Sequence, residues 1–137
     1  RVSITLPTGA SPRTDDHVIE ALGLASRVGR DHLYAVNILS SMGFEPELTY
    51  IKSSRHDTFE TFDDALRKYY DMVRKACALL PETRTQIALS KLKPWLETQI
   101  VENEDAGKPG ERGIPQGALR LREPRTITWA FIAWNVD

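Results

Sequence analysis

The sequence predicts an α/β protein, and three patterns carry that prediction. Residues 2–6 alternate in the manner of a strand. An amphipathic helix over 31–42 then leads to a short apolar strand over 48–51. The last apolar run, 126–136, reads TITWAFIAWNV and is β-branched or aromatic at alternating positions on both faces. Such a strand is covered on both sides, so we expect it in the centre of a sheet rather than at an edge.

The main helix has clear start and stop signals. Asp31 is the expected N-cap, and Gly43 fits the left-handed position that ends a helix. The apolar positions recur at i, i+3, i+4 and i+7 and predict a core-facing stripe. That stripe consists of Ala35, Ile38, Leu39 and Met42.

The middle of the chain predicts two more helices and a loop. Thr61 and Asp64 form a capping box within a helix predicted over 58–80. A second helix starts at Glu82, and Pro94 inside it predicts a kink or two separate helices. Residues 103–116 read as a long loop, either mobile or a lid, and a weak edge strand is expected over 118–122.

Composition narrows the class of protein. The chain has 137 residues, which fits one domain over 1–137, with 41% hydrophobic and 27% charged residues. Its formal net charge of −1 provides no electrostatic footprint for nucleic acid or an anionic membrane. The single cysteine, Cys77, fits a reducing compartment, and no apolar run approaches a membrane span. The expected location is the cytoplasm.

Because the chain starts with Arg1 directly before a strand, we also expect a fragment of a larger protein.

Motifs for several kinds of chemistry are absent from the sequence. No glycine-rich phosphate loop follows a strand, and the three histidines show no metal-ligand spacing, so no metal site is expected. His17 and His56 are expected in solvent, and His32 in the first turn of its helix. Tyr34 and Asn37 are polar residues among apolar neighbours. A buried Asn37 needs a hydrogen-bond partner, so it either caps a neighbouring loop or faces a ligand.

One segment resembles a known family. Residues 31–46 read DHLYAVNILSSMGFEP, and after a strand residues 58–66 read TFETFDDAL. This pattern resembles the C-terminal half of class I S-adenosylmethionine-dependent methyltransferases of the small-molecule type. In that family a helix ending in a Met-Gly turn leads to a strand, and a further segment opens the next helix. The residues that match this segment are Phe59, Thr61, Phe62 and Ala65.

The resemblance implies a partial Rossmann-like methyltransferase sheet with three main strands and helices packed on it. The strand at 2–6 would be the fifth strand of the family's sheet, and the strand at 48–51 would be the sixth, at the edge. The strand at 126–136 would be the seventh, antiparallel and inserted between the other two.

The resemblance also implies a cofactor and a substrate. The cofactor would be S-adenosylmethionine and the substrate a small-molecule methyl acceptor. The family's glycine-rich loop and acidic residue are missing, so the cofactor half would lie upstream of Arg1 and this chain alone would bind no cofactor. Ligands of open α/β sheets lie beyond the carboxyl ends of strands, so Pro7 and Thr8, after the first strand, are substrate-facing candidates. The resemblance implies that Tyr34 and Asn37 lie near them, and these two residues are the other candidates. No catalytic residue can be assigned.

An alternative stays open. The chain would then be a stand-alone α/β interaction module without catalytic activity, forming a homodimer through the exposed edge of its first strand. An unpaired strand edge favours pairing with another chain.

Overall fold

The computed structural model describes residues 1–8, 15–25 and 30–136. The described chain forms two compact units. Of the described residues, the first contains 1–8, 15, 30–54 and 126–136, and the second contains 16–25 and 55–125. None of the helices in the described residues is long and apolar enough to cross a membrane. The elements in chain order are β1 (Val2–Pro7), α1 (Asp16–Ala21), α2 (Asp31–Ser41), β2 (Glu47–Arg55), β3 (Thr58–Phe59), α3 (Phe62–Ala76), α4 (Glu82–Gln99), β4 (Ile100–Glu102), a 3-10 turn (Glu111–Gly113), β5 (Leu119–Leu121) and β6 (Arg125–Trp134).

The first unit is built on a three-stranded antiparallel sheet in the order β1-β6-β2. β1 pairs with β6 from Val2 opposite Trp134 to Pro7 opposite Trp129. Arg1 directly precedes β1 and Glu47 is the first residue of β2. Their side chains form a salt bridge of 2.8 Å. Both outer strands therefore start at the same end of the sheet and run in the same direction. The central, antiparallel position predicted for the C-terminal strand is confirmed.

α2 packs on one face of this sheet. The Oγ of Ser54 lies 2.9 Å from the Oγ1 of Thr126, so even-numbered residues of β2 and β6 share a face. Tyr50 is on that face, and its hydroxyl contacts His32 of α2. Ala130 and Ile132 are fully buried on the same face. The helix and the sheet thus enclose a small core.

Only one of the two helix ends predicted for α2 agrees with the structure. Gly43 has φ +89°, the left-handed conformation predicted for the residue that ends the helix. The start differs by one residue, because Asp31 is the first helical residue and Arg30 is the N-cap, with no side-chain cap. The N–H groups of Leu33 and Tyr34 donate to the Arg30 carbonyl instead.

The predicted core stripe of α2 is largely wrong. Of its four residues only Leu39 is buried, whereas Ile38 is 59% exposed and Met42 is 65% exposed. The face toward the sheet is centred instead on His32 and Leu39. Periodicity identifies an apolar face, but it cannot say whether another element covers that face.

β2 is also longer than the sequence predicts. It continues past Ile51 through Lys52 to Arg55, although most of its side chains are exposed. The pairing with β6 holds this polar stretch extended, and backbone pairing does not depend on apolar side chains.

The second unit is centred on an α3–α4 helix pair. The predicted apolar face of α3 is confirmed at Tyr69, Val73 and Cys77, which are buried. α4 buries Leu92 and Leu96 in the same core. α4 is one helix that contains Pro94, so of the two predicted alternatives the one with two separate helices is wrong, and the kink stays a prediction. Leu92 and Leu96 flank the proline, and their burial holds both turns in place.

A three-stranded sheet of order β3-β5-β4 completes the second unit. β5 lies in the middle, so the predicted edge position of this strand is wrong. Residues 103–116 are not a structureless loop, because backbone hydrogen bonds cross it as in a hairpin. Asn103 N–H donates to the Ala118 carbonyl at 2.8 Å, and Gln116 N–H donates to the Lys108 carbonyl at 2.9 Å.

The cap of α3 provides a first prediction. The Oγ1 of Thr61 accepts a hydrogen bond of 3.1 Å from the backbone N–H of Asp64, which confirms this half of the predicted capping box. The helix starts at Phe62 rather than at Thr58. Thr61→Ala is expected to lower the free energy of unfolding by about 1 kcal/mol, because one N–H of the first turn loses its acceptor. Thr61→Ser keeps the hydroxyl and is the control, and urea unfolding of both variants checks the difference.

Candidate functional site

The candidate site lies at the carboxyl end of β1. The N–H and the hydroxyl of Thr8 both donate to the carbonyl of Thr128, at 3.0 Å and 2.9 Å. Pro7 lies opposite Trp129, and both Pro7 and Thr8 are half-buried. Two of the predicted site residues therefore lie together against the start of β6. Gly9 to Pro12, the rest of the predicted turn, lie outside the described residues.

The first turn of α2 contains a buried histidine. His32 is 5% exposed, and its Nε2 lies 3.3 Å from the hydroxyl oxygen of Tyr50. The two rings meet edge to face, with centroids 5.7 Å apart. The Nδ1 of His32 has no hydrogen-bond partner among the described residues. Either tautomer of His32 can pair with Tyr50, because the tyrosine hydroxyl both donates and accepts.

Tyr34 and Asn37 lie on the outer face of α2. Both side chains are exposed, whereas His32 and Leu39 face the sheet. Because Asn37 is exposed, the need of a buried asparagine for a hydrogen-bond partner does not apply to it. The structure brings Pro7 and Thr8 together and leaves Tyr34 and Asn37 in solvent. The substrate-facing role of all four residues stays a prediction.

The contact between His32 and Tyr50 could not be predicted from the sequence. His32 was expected only in a first turn, and Tyr50 only as part of a strand. The contact depends on which face of β2 meets α2, and this is set by the pairing of β2 with a strand about 75 residues later. His17 was expected in solvent, but it is half-buried with its ring 5.4 Å from that of Trp95.

Removing the Tyr50 hydroxyl tests the energetic value of this contact. Tyr50→Phe is expected to lower the free energy of unfolding by about 1–2 kcal/mol, because a buried imidazole loses its hydrogen bond. Tyr34 and Tyr50 are similarly exposed, at 61% and 52%, so Tyr34→Phe is the matched control, and it is expected to change stability by less than about 0.5 kcal/mol. Urea unfolding curves measure both. Equal effects of the two variants would contradict a role for the His32 contact.

The described residues contain no cluster of side chains suited to binding a metal ion. No group of three or more His, Cys, Asp or Glu side chains is arranged there to hold a metal ion. Residues 1–8, 15–25 and 30–136 are the part of the chain to which this finding applies.

Two of the shifted pKa values, those of Glu104 and Lys108, belong to exposed ion pairs. The pKa of Glu104 is lowered by its own backbone N–H and then by Arg120, which reaches both carboxylate oxygens. The pKa of Lys108 is raised by Asp105, which accepts its hydrogen bond at 2.9 Å. The Lys108–Asp105 pair lies within the hairpin over 103–118, and the Arg120–Glu104 pair joins this hairpin to β5. They indicate structural contacts rather than a reactive group.

Comparisons of this chain with protein-family models, with curated proteins and with solved structures find no match. The function proposed below therefore rests on the sequence pattern and on the strand order.

Proposed function

We propose that this chain is the substrate-side, C-terminal portion of a class I S-adenosylmethionine-dependent methyltransferase that acts on a small-molecule acceptor. The observation that carries the proposal is the strand order β1-β6-β2 with the last strand antiparallel in the centre. Strands that follow each other in the chain usually lie side by side in a sheet. Here β1 and β2 occupy the two edges of the sheet, and the last strand, β6, lies between them. The family that the sequence resembles ends its sheet in this way.

The outer edge of β1 supports a larger sheet. Thr8 is paired directly with Thr128, so the even-numbered residues of β1 bond to β6. The N–H groups of Ser3 and Thr5 then point outward, and Pro7 has no N–H to leave unpaired. This edge has no paired strand among the described residues.

The two edges of the sheet differ in charge. β2 carries Glu47, Lys52 and Arg55, the kind of residues that discourage pairing at an open edge. β1 reads VSITLP and carries none. The uncharged edge is therefore the side on which the remainder of the sheet would join.

The cofactor half would come from another segment of the polypeptide. No glycine-rich loop follows a strand in this chain, and β1 and β2 end in Pro7-Thr8 and Ser54-Arg55, which supply no carboxylate for a ribose. The described residues therefore do not fit the cofactor by themselves. Pro7 and Thr8 would lie at the carboxyl edge that faces the acceptor.

The experiment compares two proteins by isothermal titration with S-adenosylmethionine. One is this chain, and the other is the polypeptide encoded by the complete reading frame that contains it. We expect one-to-one binding by the complete polypeptide and none by this chain. Micromolar binding by this chain would contradict the claim that it lacks the cofactor site. Absence of binding by the complete polypeptide would contradict the methyltransferase assignment.

The second candidate is a stand-alone interaction module that forms a homodimer through β1. The same uncharged edge favours it, because two copies could pair their outward Ser3 and Thr5 groups. Ser3→Pro removes one of these N–H groups without removing a bond to β6. Light scattering that finds a dimer lost on Ser3→Pro would favour this candidate over the first.

A further inference from the structure

The first turn of α2 presents backbone N–H groups that no side chain caps. Arg30 is the N-cap residue, and its carbonyl accepts from the N–H groups of Leu33 and Tyr34. The N–H groups of Asp31 and His32 have no acceptor within the part of the chain that the structure describes. Free N–H groups and the positive end of the helix dipole together favour an anion at such a position.

His32 places a buried ring nitrogen beside these N–H groups. Its side chain is 5% exposed, its Nε2 contacts the hydroxyl of Tyr50, and its Nδ1 has no hydrogen-bond partner among the described residues. Side chains in a helix point toward its N-terminus, and Nδ1 is the ring nitrogen nearer to the backbone, so it lies by the first turn. When Tyr50 donates to Nε2, the proton of the neutral ring is on Nδ1. A ligand atom that accepts this proton would remove the cost of an unpaired buried donor.

The start of α2 lies at the edge of the sheet where the candidate site is. β1 and β2 run in the same direction and α2 returns the chain between them, so α2 begins at the carboxyl end of β1. α2 also contacts β1. Thr8 continues the pairing of even-numbered residues of β1 with those of β6, and these residues face α2. The first turn of α2 and Thr8 therefore share one edge and one face, where open α/β sheets bind ligands.

Two opposite charges flank this helix start. Arg30 is exposed and forms no ion pair within the described ranges of the chain. Asp31 is exposed as well, and it is turned about 100° around the helix axis from the buried His32. Its carboxylate opposes an anion, whereas Arg30 attracts one. The two charges largely cancel, so the aligned N–H donors provide the main attraction.

We propose that the first turn of α2 binds an oxyanion, the carboxylate or phosphate group of the small-molecule acceptor. The N–H groups of Asp31 and His32 and the Nδ1–H of His32 donate to its oxygens, and Arg30 adds a charge at the rim. That the oxyanion belongs to a methyl acceptor rests on the function proposed above. Binding of the oxyanion itself does not, because it needs neither the cofactor nor the upstream half of the sheet.

Nuclear magnetic resonance of the whole chain, titrated with inorganic phosphate and separately with acetate at constant ionic strength, tests the site. We expect saturable shifts of the Asp31 and His32 amides and of the His32 Nδ1 resonance, with roughly millimolar affinity for a free ion that makes few contacts. The ion that binds more tightly identifies the group as phosphate or carboxylate. Absence of saturation with both ions would overturn the proposal, as would equal shifts with chloride. Amide shifts without a change at Nδ1 would overturn the role of the ring.

Two exposed substitutions separate the site from general charge effects. Arg30→Gln is expected to weaken phosphate binding about two- to fivefold, and Asp31→Asn to strengthen it by a similar factor, because each changes one charge beside the helix start. Arg67→Gln is the matched control, since the Arg67 side chain is 76% exposed in the second unit, and it should leave the affinity unchanged. Equal effects of Arg30→Gln and Arg67→Gln would overturn the site. Failure of S-adenosylmethionine to bind the complete polypeptide would leave this result intact and remove only the assignment of the oxyanion to a methyl acceptor.

Discussion

Replacing Asp57 by alanine is expected to lower the free energy of unfolding by about 3 kcal/mol. The Nη2 of Arg125 donates to Oδ1 of Asp57 at 3.3 Å, and its Nε lies 3.0 Å from Oδ2. The side chain of Arg125 is 6% exposed and that of Asp57 is 15% exposed. Alanine would leave a buried guanidinium without this counter-charge, which costs far more than the loss of a surface pair.

Two further contacts bear on the size of this effect. The Nζ of Lys68 lies 3.5 Å from Oδ1 of Asp57, and this lysine is half exposed and also lies over the ring of Phe59. Arg125 makes other interactions as well. The expected loss is therefore at the lower end of the range for a broken buried pair. The exposed Asp71→Ala, in α3, is the matched control and should cost less than about 0.5 kcal/mol. A loss below about 1 kcal/mol for Asp57→Ala, by urea unfolding, would contradict this role.

Gly117→Ala is expected to lower the free energy of unfolding by about 2–3 kcal/mol. A Cβ at this position would lie 2.6 Å from both the carbonyl carbon and the carbonyl oxygen of Phe59, and backbone atoms cannot rotate away. The glycine is also held on both sides. Its N–H donates to Oγ1 of Thr58, and its carbonyl accepts from Nδ2 of Asn103, both at 2.9 Å. The alanine would therefore separate strand β3 from the hairpin that carries β5.

Gly113→Ala separates this steric effect from backbone strain. Gly113 has φ +74°, but a Cβ there meets nothing within 4 Å. Its cost should be only the left-handed conformation, about 1 kcal/mol. Denaturant unfolding should therefore rank Gly117→Ala clearly above Gly113→Ala. Equal losses would mean that Gly117 is not in close contact with Phe59.

Features encoded within a few neighbouring residues could be predicted from the sequence. The stop at Gly43 and the cap at Thr61 depend on local backbone chemistry, and both are observed. The central position of β6 was predicted because its residues are apolar on both faces. The structure confirms this position, since β1 and β2 both pair with β6.

Features set by distant contacts could not be predicted. The helix α2 was predicted correctly but its core-facing stripe was not, because only the packed sheet decides that Leu39 is covered and Ile38 is not. The ordered hairpin over 103–118 depends on backbone bonds such as that of Asn103 with Ala118, which leave no local pattern. The same holds for the candidate site. Thr8 was identified because it follows a strand, whereas the contact of His32 with Tyr50 requires the register of the sheet.

Amide hydrogen exchange at Ser3 and Thr5 tests the central claim most directly. If β1 is the side on which a larger methyltransferase sheet continues, both amides exchange rapidly in this chain at every concentration. In the polypeptide encoded by the complete reading frame they are protected, because a neighbouring strand bonds to them. Rapid exchange in both proteins would contradict the claim. So would protection in this chain that increases with its concentration, because the edge would then serve pairing between copies.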